Sequence, residues 1–109
     1  MQDALKANPD INLIYAHNDP MAHGAYLAAR QAGAADRMKF VGIDANTNEG
    51  QRWVQTGELT ATFLYPTPGE KGLQVALDVL QGKPVQKRNA LPTRIFTKDN
   101  ADQGGQPVK

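Results

Sequence analysis

The feature that most constrains this chain is a repeated unit: a short apolar run of strand length, a polar cluster, then a segment with helical spacing. Residues 11–16 (INLIYA) form the first run, and Asn18-Asp19-Pro20 follows. Residues 39–43 (KFVGI) form the second, followed by Asp44-Ala45-Asn46-Thr47. Residues 59–65 (LTATFLY) form the third, rich in the threonine and aromatic side chains that suit a pleated surface, with Pro66-Thr67-Pro68 after it. Strands alternating with helices in this way build parallel sheets with helices packed on them. The expected fold class is α/β, a parallel sheet with flanking helices.

The helical segments have readable ends. Residues 1–7 read as the tail of a helix whose beginning is missing, stopped by Asn8-Pro9-Asp10. Asp19 is placed to cap the next helix, with Pro20 at its first position. Met21, Ala25, Ala28, Ala29 and Ala32 then recur at helical spacing until Gly33. A third helix holds Trp53 and Val54 and closes at Gly57; Trp53 and Phe63 are expected in the core. Thr67-Pro68-Gly69-Glu70 has the form of a capping box, and Leu73, Ala76, Leu77 and Leu80 give the helix after it one apolar face. Residues 91–97 alternate like a strand, and residues 101–109, with Gly104, Gly105 and Pro107, are expected to be flexible.

Several function classes are disfavoured. Lys plus Arg number 12 against 11 Asp plus Glu, a net charge of +1 spread along the chain, so no basic stripe marks a nucleic-acid partner. The absence of cysteine removes disulfides and thiolate metal sites. No apolar run reaches the length of a membrane span, and the amino terminus does not read as a secretion signal. His17 and His23 lack the i, i+4 spacing of a helical zinc motif, and neither phosphate-loop glycine pattern occurs. No nucleophile stands beside a base, so neither enzyme, cofactor nor metal is expected.

The polar clusters carry the chemistry. Parallel strands joined by helices bring their carboxyl ends to one edge, where open α/β sheets bind ligands. Asn18, Asp19, Asp44 and Tyr65 are therefore expected to converge as the ligand-binding set. A carboxylate accepts hydrogen bonds, an amide donates and accepts, and tyrosine adds a ring face and a hydroxyl, a combination suited to a neutral polyol. Structural duties compete: capping for Asp19 and Thr67, turn formation for Asn46.

Five pieces in order carry a resemblance: Ala16-His17-Asn18-Asp19, Met21-Ala22-His23-Gly24-Ala25, Ala32-Gly33, Val41-Gly42-Ile43-Asp44 and Gly57-Glu58-Leu59-Thr60-Ala61-Thr62. From about residue 5 to about residue 100 the chain resembles the C-terminal portion of the type I periplasmic sugar-binding protein family, of ribose-binding-protein type. Residues 61–67 also resemble the periplasmic sugar-sensing domains of hybrid two-component sensors. Lactose-repressor-type regulators are related, although no helix-turn-helix is present.

The resemblance implies a sugar held between two closing lobes. Asn18 and Asp44 would contact it, with Tyr65 where ribose-type proteins often have Gln, and Ile43 where Phe is common. It further implies a non-enzymatic, periplasmic protein. That protein would partner the membrane permease of an ABC-type sugar uptake system, or the rest of a sensor. Residues 1–66 would belong to the C-terminal lobe, 67–90 would carry a helix of the other lobe, 91–100 would return as a strand, and 101–109 would form the tail. The sheet edge and helix face left exposed by that division favour self-association of the chain.

Overall fold

The structure, a computed structural model, describes residues 1–108. Helix α1 (Gln2–Ala7) precedes strand β1 (Leu13–Tyr15), helix α2 (Asp19–Gln31) and strand β2 (Lys39–Asp44). A π-helical turn (Thr47–Gln51) runs into α3 (Arg52–Gln55), and β3 (Ala61–Leu64), α4 (Gly69–Leu80), β4 (Thr93–Thr97) and β5 (Gln106–Val108) follow. The sheet order is β1-β2-β3-β4-β5.

Strands β1, β2 and β3 are parallel, as the alternation predicts. β4 runs antiparallel to β3, and β5 antiparallel to β4, so the sheet is mixed rather than parallel. The reason lies in α4. A crossover helix buries one face against its sheet, whereas α4 has no buried residue. The chain leaves the sheet after β3, forms α4 outside it, and comes back alongside β3. At this neck the Thr93 hydroxyl donates to the Leu64 carbonyl.

Strand alternation sends Ile14, Phe40, Gly42, Thr62 and Phe96 to one face, where the register brings Ile14 beside Phe40, Gly42 beside Thr62 and Thr62 beside Phe96. That face meets α1, α2 and α3 in one core containing Leu5, Ala22, Ala29, Met38, Val54 and Leu59. The alanines of α2 let the helix lie close to β2. Trp53 packs against the core and stacks on His23 at 4.1 Å. Phe63, expected in the core, lies half-buried on the opposite face with Val41 and Ile43. Leu13 and Tyr15 on that face are 57% and 61% exposed.

Two expectations of the carboxyl-terminal half are corrected. Helix α4 starts at Gly69, with Pro68 at the cap position and no side-chain cap bond, so Thr67 sits outside the helix and forms no capping box. Residues 101–108 are not a loose tail: Asn100 accepts the Thr97 N–H, Ala101–Gln103 forms a 3₁₀ turn with Ala101 buried, and β5 pairs with β4. Gly104 (φ 80°) and Gly105 (φ 73°) reverse the chain, and a side chain at Gly105 would press on the Ile95 carbonyl. The last residue of the expected tail lies outside the described residues.

The molecule measures 59 × 32 × 22 Å with a radius of gyration of 17.8 Å. A compact chain of this length would have roughly 13 Å. The excess is the arm of residues 65–92, on which Leu73, Leu77, Val79 and Leu80 are all exposed.

Candidate functional site

The carboxyl ends of β1, β2 and β3 meet at one edge, and an open cleft of about 530 Å³ lies there, lined by Tyr15, His17, Asn18, Ile43, Asp44 and Tyr65. Three of the four predicted site residues, Asn18, Asp44 and Tyr65, come together in it although they are far apart in sequence.

Asn18, not Asp19, is the cap of α2. It has extended backbone (φ −152°, ψ 167°), and its Oδ1 accepts the Met21 N–H at 2.9 Å. This duty consumes the amide oxygen and leaves the amide nitrogen, without a protein partner among the described residues, to donate at the cleft. Tyr65, one residue past β3, is 62% exposed, so ring and hydroxyl are both accessible.

Asp44 ends β2, where its backbone pairs with Leu64 of β3 and its carbonyl accepts the Tyr65 N–H at 3.4 Å, while its carboxylate accepts no hydrogen bond from the described residues. Its backbone is unusual: φ is 113° at Asp44 and 53° at Ala45, both non-glycine residues. Such conformations cost on the order of 1–3 kcal/mol each and persist where surrounding contacts over-determine them. Here those contacts grip Ala45 from both sides. Its N–H donates to Asp19 Oδ2 at 2.8 Å, and its carbonyl accepts from Gln51 Nε2 at 2.7 Å.

Asp19 does not share the cleft, which corrects its assignment as a cap and ligand contact. The helix begins one residue earlier than Asp19-Pro20 suggests, so Asp19 occupies its first turn and points at the sheet. It is fully buried, with Oδ1 accepting the Thr62 hydroxyl at 2.6 Å and Oδ2 accepting the Ala45 N–H. Gly42 and Gly50 wall the carboxylate, and a methyl group at either would overlap it. Burial pushes the Asp19 carboxyl above its ordinary value; the Thr62 and Ala45 hydrogen bonds pull it down, and the charges of Asp44 and Glu49 raise it further.

Sequence reasoning missed Tyr15 and His17 as lining residues, while Ile43 lines the cleft beside Asp44. Tyr15 and His17 stand edge to face, 5.9 Å apart. Their signal was positional: each lies at or just beyond the carboxyl end of a strand, the place that selected Asn18 and Asp44. Asn46 is a turn residue, its Nδ2 donating to Glu49 Oε2 at 3.2 Å. His23 pairs with Glu58, and neither residue lines the cleft. No group of three metal-ligating side chains forms among the described residues.

The site thus offers a free carboxylate, a free amide N–H₂, a tyrosine hydroxyl and aromatic faces on a fixed sheet edge. It can hold a small molecule with many hydroxyls by hydrogen bonding and stacking. Among the described residues, no side-chain hydrogen bond joins two of the residues that line it.

Known proteins resemble the chain in sequence and in fold. The chain is 41% identical to the ribose import binding protein RbsB of Salmonella typhimurium, over 90% of this chain and 33% of that protein. It superposes on the fructose-binding periplasmic domain of a hybrid two-component system with a TM-score of 0.85 and 43% identity, over 94% of this chain and 35% of that one. An ABC transporter periplasmic solute-binding protein from Actinobacillus succinogenes with bound D-allose gives a TM-score of 0.78 at 26% identity, over 94% and 36% of the two chains. These relatives are named for solutes they bind, not for reactions. The chain spans about a third of the length of the curated relatives it matches. Residues 1–84 match the profile described as the periplasmic binding protein domain, and the chain belongs to that family.

Proposed function

We propose that this chain supplies one wall of a reversible monosaccharide-binding site in the solute-binding component of an ABC-type sugar uptake system, acting in the periplasm. One observation carries the reading: the Asp44 carboxylate and the Asn18 amide nitrogen both lack partners among the described residues while lining one cleft between exposed Tyr15 and Tyr65. A neutral sugar supplies what they lack, hydroxyls that donate to the carboxylate and accept from the amide. The ribose, allose and fructose bound by relatives, as their names state, are of this class.

The arm of residues 65–92 belongs, in this reading, to a second lobe. A sugar touching both lobes binds the closed arrangement better and so draws the protein into it, the form a membrane permease would recognise. A second reading is a sensor's periplasmic domain, favoured by the 43% identity to the two-component fructose-binding domain. The sequence flanking this chain in its gene distinguishes the two: a membrane span leading to a kinase marks the sensor.

The test is a thermal-shift screen of the chain, expressed with its flanking gene sequence, against D-ribose, D-allose, D-fructose and their phosphates. A free sugar should raise the melting temperature by mass action, with no such shift in Asp44→Ala. A shift with a phosphorylated compound alone, or an equal shift in Asp44→Ala, would overturn the reading.

A further inference from the structure

We infer that Asp19 is a positioning residue: by accepting the Ala45 N–H it holds the left-handed turn that aims the Asp44 side chain into the cleft. The inference deepens the functional reading above and rests on it for the role of Asp44.

Asp44 and Ala45 are the non-glycine residues with positive φ among those described, and they stand in succession at the end of β2. An ordinary backbone there would rotate the Asp44 Cα–Cβ bond and carry the carboxylate away from Asn18 and Tyr65. The turn needs restraints, and Ala45 has two, the Gln51 amide on its carbonyl and the Asp19 carboxylate on its N–H. Asp19 Oδ2 takes the Ala45 N–H at 2.8 Å, while Thr62 fixes Oδ1 at 2.6 Å. Gly42 and Gly50 leave room for this carboxylate and nothing larger. An interior carboxylate with no counter-ion among the described residues is an expensive way to stabilise a fold, and its oxygens serve one strand and one strained turn. Asp19 also follows Asn18 directly in the chain. One dipeptide therefore lines the cleft with its first side chain and sets the opposite wall with its second.

The experiment follows the turn and the binding separately in the chain expressed with its flanking gene sequence. Amide hydrogen exchange at Ala45 and the backbone chemical shifts of Asp44 report the turn; titration with D-ribose and D-fructose reports the site. In Asp19→Ala the Ala45 amide should exchange roughly tenfold faster or more, the scale of losing a charge-assisted hydrogen bond, and the Asp44 shifts should move toward ordinary strand values. Sugar affinity should fall by a similar factor. Asp19→Asn keeps an oxygen for Ala45, since the Thr62 hydroxyl can accept as well as donate, and should restore both readouts. It also carries the test if the alanine variant does not fold. Leu5→Ala, a core change on α1 beside the end of α2, should lower the melting temperature and leave Ala45 and the affinity unchanged. An Ala45 amide still protected in Asp19→Ala, or one exposed in either Asp19 variant while affinity holds, overturns the inference. Unchanged affinity in Asp44→Ala instead removes the functional reading, and the turn readouts still decide what Asp19 does.

Discussion

A carboxylate sealed between a helix and a sheet titrates differently from one in water, and Asp19 makes that measurable. Burial holds its carboxyl above the ordinary value in the folded chain. The folded state therefore binds this proton more tightly than the unfolded chain does. The stability tied to Asp19 is greatest below the unfolded carboxylate value and declines as pH rises from there through the raised folded value. Asp19→Asn has no such titration. Melting curves across that interval should show the variant gaining on the parent as pH rises; parallel profiles would count against an elevated carboxyl. The two glycines beside it make a sharper residue-scale case. Gly50→Ala should destabilise by about 1–3 kcal/mol in urea, because its methyl overlaps the carboxylate. Gly24→Ala, in α2 with nothing within 4 Å of the added carbon, should stabilise by up to about 1 kcal/mol.

At the scale of elements, α4 behaves unlike the other helices. None of its residues is buried, and Leu73, Leu77 and Leu80 are 65%, 43% and 83% exposed. Its amides should exchange far faster than those of β2 and β3, whose bonds lie in the middle of the sheet. Its apolar face and the open edge at β1 also favour self-association of the isolated chain. Light scattering should show a mass that rises with concentration and falls back in Leu77→Glu/Leu80→Glu; a monomer at every concentration would refute this. The elements also show what was legible in the sequence. Periodicity marked β1, β2, β3, α2 and α4, because apolar spacing reports burial or a face awaiting it. It did not reveal the direction of β4, which depends on whether α4 packs on this sheet, a tertiary matter. The same local reading placed the helix cap at Asp19 instead of Asn18. Both residues cap well, and only the turn geometry, with its buried partners Thr62 and Ala45, separates their roles. The strand Gln106–Val108 was hidden by Gly and Pro, which as readily signal a loop.

At the scale of the whole molecule, an extended body of 59 × 32 × 22 Å carries its candidate site at one sheet edge, beside the neck from which the arm departs. A ligand there would touch the sheet edge and anything the arm belongs to. Charge complementarity adds little for a neutral sugar, so hydrogen-bond geometry sets affinity, and the loss of one carboxylate is felt strongly. The most direct measurement is calorimetric titration of a free sugar, D-ribose first and then D-fructose, into the chain expressed with its flanking gene sequence, beside Asp44→Asn and Asn18→Leu. The expected result is saturable binding with one sugar per chain, weakened by roughly tenfold or more in each variant. Binding that is undiminished when Asp44 loses its charge and Asn18 loses its amide would contradict the placement of the sugar in this cleft.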